Sequence, residues 1–130
     1  VIMSALYVDT VLLLMKAAFP LLFCRGGGSF VTVGAFAALS GKAEMSAYIA
    51  SKSTVMRLTE SLAEEVRERG VNVNAVLPTI IDTPANRGAM PDADPNGWVK
   101  PQHLAETMCF LASEAAKDIH GALIPVRGLS

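Results

Sequence analysis

Three rhythms of apolar and polar residues follow one another along the chain, and each change of rhythm marks an element. In Ala5–Phe23, ALYVDTVLLLMKAAFPLLF, the residues Val11, Leu12, Met15, Ala18 and Phe19 recur at the spacing of a helical stripe. Neighbouring leucines thicken that stripe until the helix is apolar on most sides, which predicts burial against more than one neighbour. Arg25-Gly26-Gly27-Gly28 then ends the helix and turns the chain. Ser29–Ala35, SFVTVGA, is short and β-branched and predicts a strand. A helical period returns from Glu44 to Arg69, with Tyr48, Lys52, Val55 or Met56, Thr59, Leu62 and Val66 in rhythm. Glu60, Glu64, Glu65, Arg67, Glu68 and Arg69 form its solvated face, and Gly70 stops it. Val71–Leu77, VNVNAVL, predicts the next strand, ended by Pro78, which has no N–H for a ladder.

Thr79–Val99 is rich in Pro, Asp, Asn and Gly and keeps no period. A long irregular connection of this kind predicts a substrate or lid loop over residues 79–100. Pro101 suits the first turn of a further helix, through HLAETMCFLASEAA, with Leu104, Met108, Leu111 and Ala112 inward. The last strand is ALIPVRG, where Pro125 marks an edge. Strands separated by helices predict an α/β fold with a parallel sheet of about three strands. So thin a sheet calls for more strands or another chain at its sides.

The full sequence has 130 residues, of which 52% are hydrophobic and 18% charged. The apolar content is ample for a core and excludes intrinsic disorder. Eleven basic against twelve acidic residues, a net charge of -1, leave no electrostatic excess for nucleic acid or an anionic bilayer. Asp9, Lys16 and Pro20 interrupt the leading apolar run, so a buried or interface helix is expected rather than a membrane span. Cys24 and Cys109 are too few for a disulfide scaffold or a thiolate metal site, and are expected as buried small apolar groups in a cytoplasmic protein. No ligand set suggests a metal.

Chemistry concentrates in Tyr48-Ile49-Ala50-Ser51-Lys52, where a phenol and an ammonium four residues apart share one helix face. A free phenol titrates near pKa 10. A neighbouring ammonium favours the phenolate and tunes the group for proton exchange. With GGGSFVTVGA before it and AYIASKSTVMRLTESLAEEV, GVNVNAVLPTIIDTP and ALIPVRG through it, the chain resembles the C-terminal half of the short-chain dehydrogenase/reductase family. The resemblance implies the C-terminal portion of a Rossmann-like doubly wound sheet and a nicotinamide cofactor, NADH or NADPH. It makes Tyr48 the proton donor and acceptor, and Lys52 the residue that holds the nicotinamide ribose and lowers the tyrosine pKa. Pro78, Thr79, Ile81 (by its backbone) and Thr83 become cofactor contacts, with Thr79 where a glycine is usual. A homo-oligomer through the two long helices is implied for the intact parent.

Departures from the family pattern matter as much. Thirteen residues before Tyr48, where the family places a substrate-binding serine, stands Ala35, which has no donor. Near Tyr7, where an asparagine is usual, there is none. The loop VLPTIIDTPANRGAMPDADPNGW resembles the dihydropteridine reductase branch, which implies a small carbonyl or conjugated imine substrate, a quinonoid dihydropterin among them. Ala35 and Trp98 would then line the substrate site, although Trp98 also suits packing of the lid. Arg87 is expected in a surface role or in an ion pair with Asp92 or Asp94, and His103 and His120 as surface or capping residues. GGGS at 26–29 follows a helix and precedes a strand, the reverse of a nucleotide-binding glycine turn. A chain opening at Val1 inside a helix is therefore expected to be one incomplete domain, residues 1–130, cut from a longer parent and by itself a weak binder of NAD(P)H. The alternative is a truncated, non-catalytic relative that serves as a structural or dimerising module.

Overall fold

The computed structural model describes residues 2–130. Along the chain come α1 (Ile2–Ser4), a π-helical turn (Ala5–Asp9), α2 (Thr10–Cys24), β1 (Gly28–Val33) and α3 (Ser46–Val66). Then follow β2 (Val71–Pro78), α4 (Pro84–Ala89), α5 (Pro101–Leu111) and β3 (Leu123–Val126). The first three pieces are continuous, one leading helix over Ile2–Cys24. The three strands are parallel in the order β1-β2-β3, with register Gly28↔Val71 to Val33↔Val76 and Ala75↔Leu123 to Pro78↔Val126. The expected α/β architecture is therefore present. Strand β2 runs through Pro78 instead of stopping before it, and Pro125 sits on the edge strand as its missing N–H requires.

The alternation of side chains along β2 sorts the layers. Val71 and Val73 meet Met15 and Phe19 of α2 and Ala63 and Val66 of α3, while Ala75 and Leu77 meet Ile49 and Met56 of α3. Val76 faces the other way, toward Val99, Leu104 and Leu111 beneath α5. Asn72 and Asn74 share that second face without loss, because each finds partners in the α5–β3 connection. Asn72 donates to the carbonyls of Lys117 (2.7 Å) and Ile119 (2.9 Å); Asn74 donates to Ile119 (2.9 Å) and accepts from the Ala122 N–H (2.9 Å). Buried polar groups so satisfied hold a register that an apolar pair would leave free.

Several expectations are corrected. The leading helix buries only Met15 and Phe19, and Leu13, Leu14 and Leu21 are 67%, 57% and 68% exposed, because the sheet and α3 cover one side of it. By length and composition it is also the one described helix apolar enough to cross a membrane. Cys24 and Cys109 are both exposed, since each falls on the outer side of its helix. The connection 79–100 is not irregular throughout: it contains α4, a short turn of helix at Pro95–Gly97, and a parallel bridge between Ile81 and Val99. On α5, Leu104 and Leu111 are buried but Ala112 is exposed. His120 is half-buried, where its ring contacts the Ala63 carbonyl and accepts from the Val73 N–H at 3.4 Å.

Candidate active site

Helix α3 presents the chemical pair because its N-terminal turns run past the carboxyl ends of β1 and β2. The rhythm Ile49, Lys52, Met56 and Thr59 is buried along its inner face. Thr59 anchors that face to the sheet through a 2.7 Å contact between its hydroxyl and that of Thr32 on β1. Gly34, just after β1, has no room for a side chain: a Cβ there would lie 2.5 Å from Leu77 and 2.9 Å from Met56. Ala35 follows, 3% exposed, and opens the cavity.

This cavity measures about 660 Å³, and Ala35, Phe36, Tyr48, Pro78, Thr79 and Arg127 are among its walls. Of the residues singled out from the sequence, Tyr48, Ala35, Pro78 and Thr79 share this lining, while Lys52, Ile81 and Thr83 fall outside it. Trp98 is 6% exposed and lies outside that lining. Thr79 serves the frame, since its hydroxyl donates to the Arg127 carbonyl (2.8 Å) and lies 2.6 Å from the Ser130 hydroxyl. Thr83 caps α4 by accepting from the Asn86 N–H at 3.2 Å, which leaves its own proton to donate. The Ile81 carbonyl takes the Thr83 N–H (2.9 Å) and the Asn86 amide (2.7 Å). The Ile81 N–H donates to no acceptor among the described residues.

Lys52 lies one helical turn beyond Tyr48 and turns its ammonium toward β1. Its ammonium donates to the Val33 carbonyl at 2.9 Å and lies 4.4 Å from the centre of the Tyr7 ring. Burial pulls its pKa below the ordinary lysine value. Burial also pushes the Tyr48 phenol above its ordinary value, and the Tyr7 phenol adds to that rise. The expected lowering of Tyr48 by Lys52 is therefore corrected: with the ammonium aimed at Val33 and Tyr7, desolvation decides the direction. A phenol so held is protonated at neutral pH, the state of a proton donor.

Beyond the cavity, Asp82 receives Arg87 in bidentate fashion (2.6 and 3.0 Å) and Lys100 at 2.7 Å. Those bonds hold its carboxyl well below the usual carboxylate range. Arg87 thus pairs with Asp82, not with Asp92 or Asp94; Asp94 instead accepts from the Asn96 N–H at 3.0 Å. Sequence reasoning gave no site role to Tyr7, Phe36 and Arg127. The Arg127 guanidinium stacks on Phe36 at 4.4 Å, a contact between residues too far apart in sequence for any spacing rule to pair. Among the described residues no cluster of His, Cys, Asp and Glu could hold a metal ion.

The family model described as enoyl-(acyl carrier protein) reductase matches residues 3–128. The chain belongs to the short-chain dehydrogenase/reductase family. It is 36% identical over 121 residues to the cis-4-hydroxycyclohexanecarboxylate dehydrogenase of Sinomonas cyclohexanicum, covering 87% of this chain and 49% of that one. A short-chain dehydrogenase/reductase structure from Mycobacterium ulcerans superposes with a TM-score of 0.89 at 28% identity, over 97% of this chain and 50% of that one. The L-sorbose reductase of Gluconobacter frateurii, solved with NADPH and L-sorbose, gives 0.86 at 25% identity, over 97% and 56%. The chain thus spans about half the length of the short-chain dehydrogenase/reductase relatives it matches.

Proposed function

We propose that this chain is the C-terminal portion of an NAD(P)-dependent oxidoreductase that moves hydride between a nicotinamide and a small carbonyl or conjugated imine. The observation that carries the reading is Tyr48 on the wall of the 660 Å³ cavity, one helical turn from Lys52 and opposite the Pro78–Ile80 loop. The nicotinamide end of the cofactor fits the residues present, because the Ile81 N–H and the Thr83 hydroxyl both retain a donor for it. NAD(P)H, when bound, supplies the hydride. Tyr48 delivers the proton from its neutral phenol, and Lys52 offers its remaining N–H donors to the ribose hydroxyls.

Ala35 favours an imine, a quinonoid dihydropterin among the candidates. Position 35 offers no donor to a localised alkoxide, whereas a conjugated ring imine spreads the incoming charge and needs less help there. A cytoplasmic protein without nucleic-acid or membrane partners, a homo-oligomer through the leading helix and α3, completes the reading. The test is hydride transfer in the parent protein, followed by loss of nicotinamide absorbance with ketones and with quinonoid dihydropterin. Tyr48→Phe is expected to lower kcat by about a hundredfold or more, the contribution of a positioned proton donor. An unchanged kcat in that variant removes Tyr48 from the chemistry.

A further inference from the structure

Lys52 is nearly buried, yet no carboxylate stands with it. Its ammonium enters a groove of about 250 Å³ between the leading helix and β1, walled by Tyr7, Val11, Phe30, Val33 and Val55 among others. The titratable groups facing it are few. Tyr7 of the π-helical turn is the one titratable group besides Lys52 in the groove lining among the described residues, and Tyr48 of α3 lies outside the lining, against the Tyr7 ring. Asp9, the acid nearest in sequence to Tyr7, is exposed and outside the lining. A buried ammonium without an acid needs another source of negative potential. Two are present: the Val33 carbonyl at 2.9 Å, and the Tyr7 ring at 4.4 Å. The same ring meets Tyr48 edge to face, with centroids 5.8 Å apart and planes at 87°.

We infer that Tyr7 is a positioning residue: the face of its ring holds the Lys52 ammonium while its packing against Tyr48 fixes the phenol, so that one aromatic side chain sets both members of the pair. The assignment rests on the reading of Tyr48 and Lys52 as a catalytic pair, but its physical content does not depend on cofactor. The ring face is the working part, because a cation is drawn to the π-system and not to the hydroxyl. The π-helical turn at Ala5–Asp9 fits this use, since such turns insert a residue and re-aim the side chains of one turn relative to the regular helix around it.

The test is isotope-edited NMR of the lysine side chains in the chain as it stands, without cofactor, with Lys52 assigned through Lys52→Arg. Tyr7→Leu is expected to lower the Lys52 pKa by about 0.4 to 1.5 units, the shift that corresponds to loss of a cation–π contact. Tyr7→Phe keeps the ring and is expected to titrate as the parent does. Tyr7→Trp, with the stronger π-face, is expected to hold Lys52 at or above the parent value. An unchanged Lys52 in Tyr7→Leu overturns the assignment, as does a fall in Tyr7→Phe as large as in Tyr7→Leu. Should the leucine variant not fold, the Phe and Trp variants decide, because a fall in either contradicts a role for the ring face. These titrations stand apart from hydride transfer. A parent with no turnover but the expected Lys52 shifts would defeat the proposed reaction and leave the positioning role, while normal turnover with unmoved shifts would do the reverse.

Discussion

The leading helix and α3 are both long, and both lie on the same face of the sheet, yet they are held in opposite ways. Helix α3 buries Ile49, Ser51, Lys52, Val55, Met56, Thr59, Ala63 and Val66 along one side and turns its glutamates and arginines to water. The leading helix buries Met15 and Phe19 and leaves leucines exposed on its outer sides. The first is amphipathic, and its apolar side is covered by the sheet and the leading helix together. The second carries more apolar surface than the sheet and α3 cover. A helix can therefore be rich in leucine and still contribute little to the core, while a helix with an ordinary composition carries most of it.

Substitutions on the two helices should separate sharply. The largest effect is expected from Met56→Ala on α3, which empties a fully buried site against Gly34 and Leu77. Urea denaturation should show a loss of about 2–5 kcal/mol. Thr59→Val on the same helix removes the 2.7 Å partner of the Thr32 hydroxyl and leaves it only the longer bond to the Asn74 carbonyl at 3.4 Å, at about 0.5–1.5 kcal/mol in the same experiment. Asp82, which touches neither helix, supplies an acid-dependent reference. Its folded pKa lies below the unfolded value, so its contribution is complete above the unfolded pKa of about 4 and fades as pH falls through the depressed folded value. Asp82→Asn should flatten that acid limb in stability measured against pH. The smallest change in stability, within about 0.5 kcal/mol, is expected from Leu13→Gln on the exposed side of the leading helix. Self-association by sedimentation is where that variant should respond; a stability loss as large as that of Met56→Ala would break the contrast between the helices.

The sequence made the order of elements legible, along with the parallel sheet, the Tyr48–Lys52 turn and the missing donor at Ala35. Each of these depends on local period or on a fixed offset along one element. What escaped depends on neighbours distant in sequence. Leucine spacing announces an apolar helix but not how many sides find partners, so the exposure of Leu13 and Leu21 was hidden. Arg87 had three acids within reach, and the turn that opens α4 selected Asp82. The direction of the Tyr48 pKa was missed because spacing placed Lys52 on the same face without showing where its ammonium points. Tyr7 reaches the pair across the fold, with no motif to announce it.

The backbones of Gly27 and Gly70 touch where the two long helices end. A Cβ on Gly27 would lie 2.5 Å from the Gly70 carbonyl oxygen, and the Gly28 N–H donates to that same oxygen at 3.1 Å. Both helices run in the same direction, so this contact pins their C-terminal ends together while Tyr7 and Tyr48 lie toward the opposite ends. The leading helix is then a lever with its fulcrum at the glycines and Tyr7 on its long arm. Twenty residues of helix make an arm of about 30 Å, so a tilt of about 2° moves the Tyr7 ring by about 1 Å. A partner that tilted that lever against the packing of Met15 and Phe19 would change, at its far end, how closely the ring approaches the Lys52 ammonium.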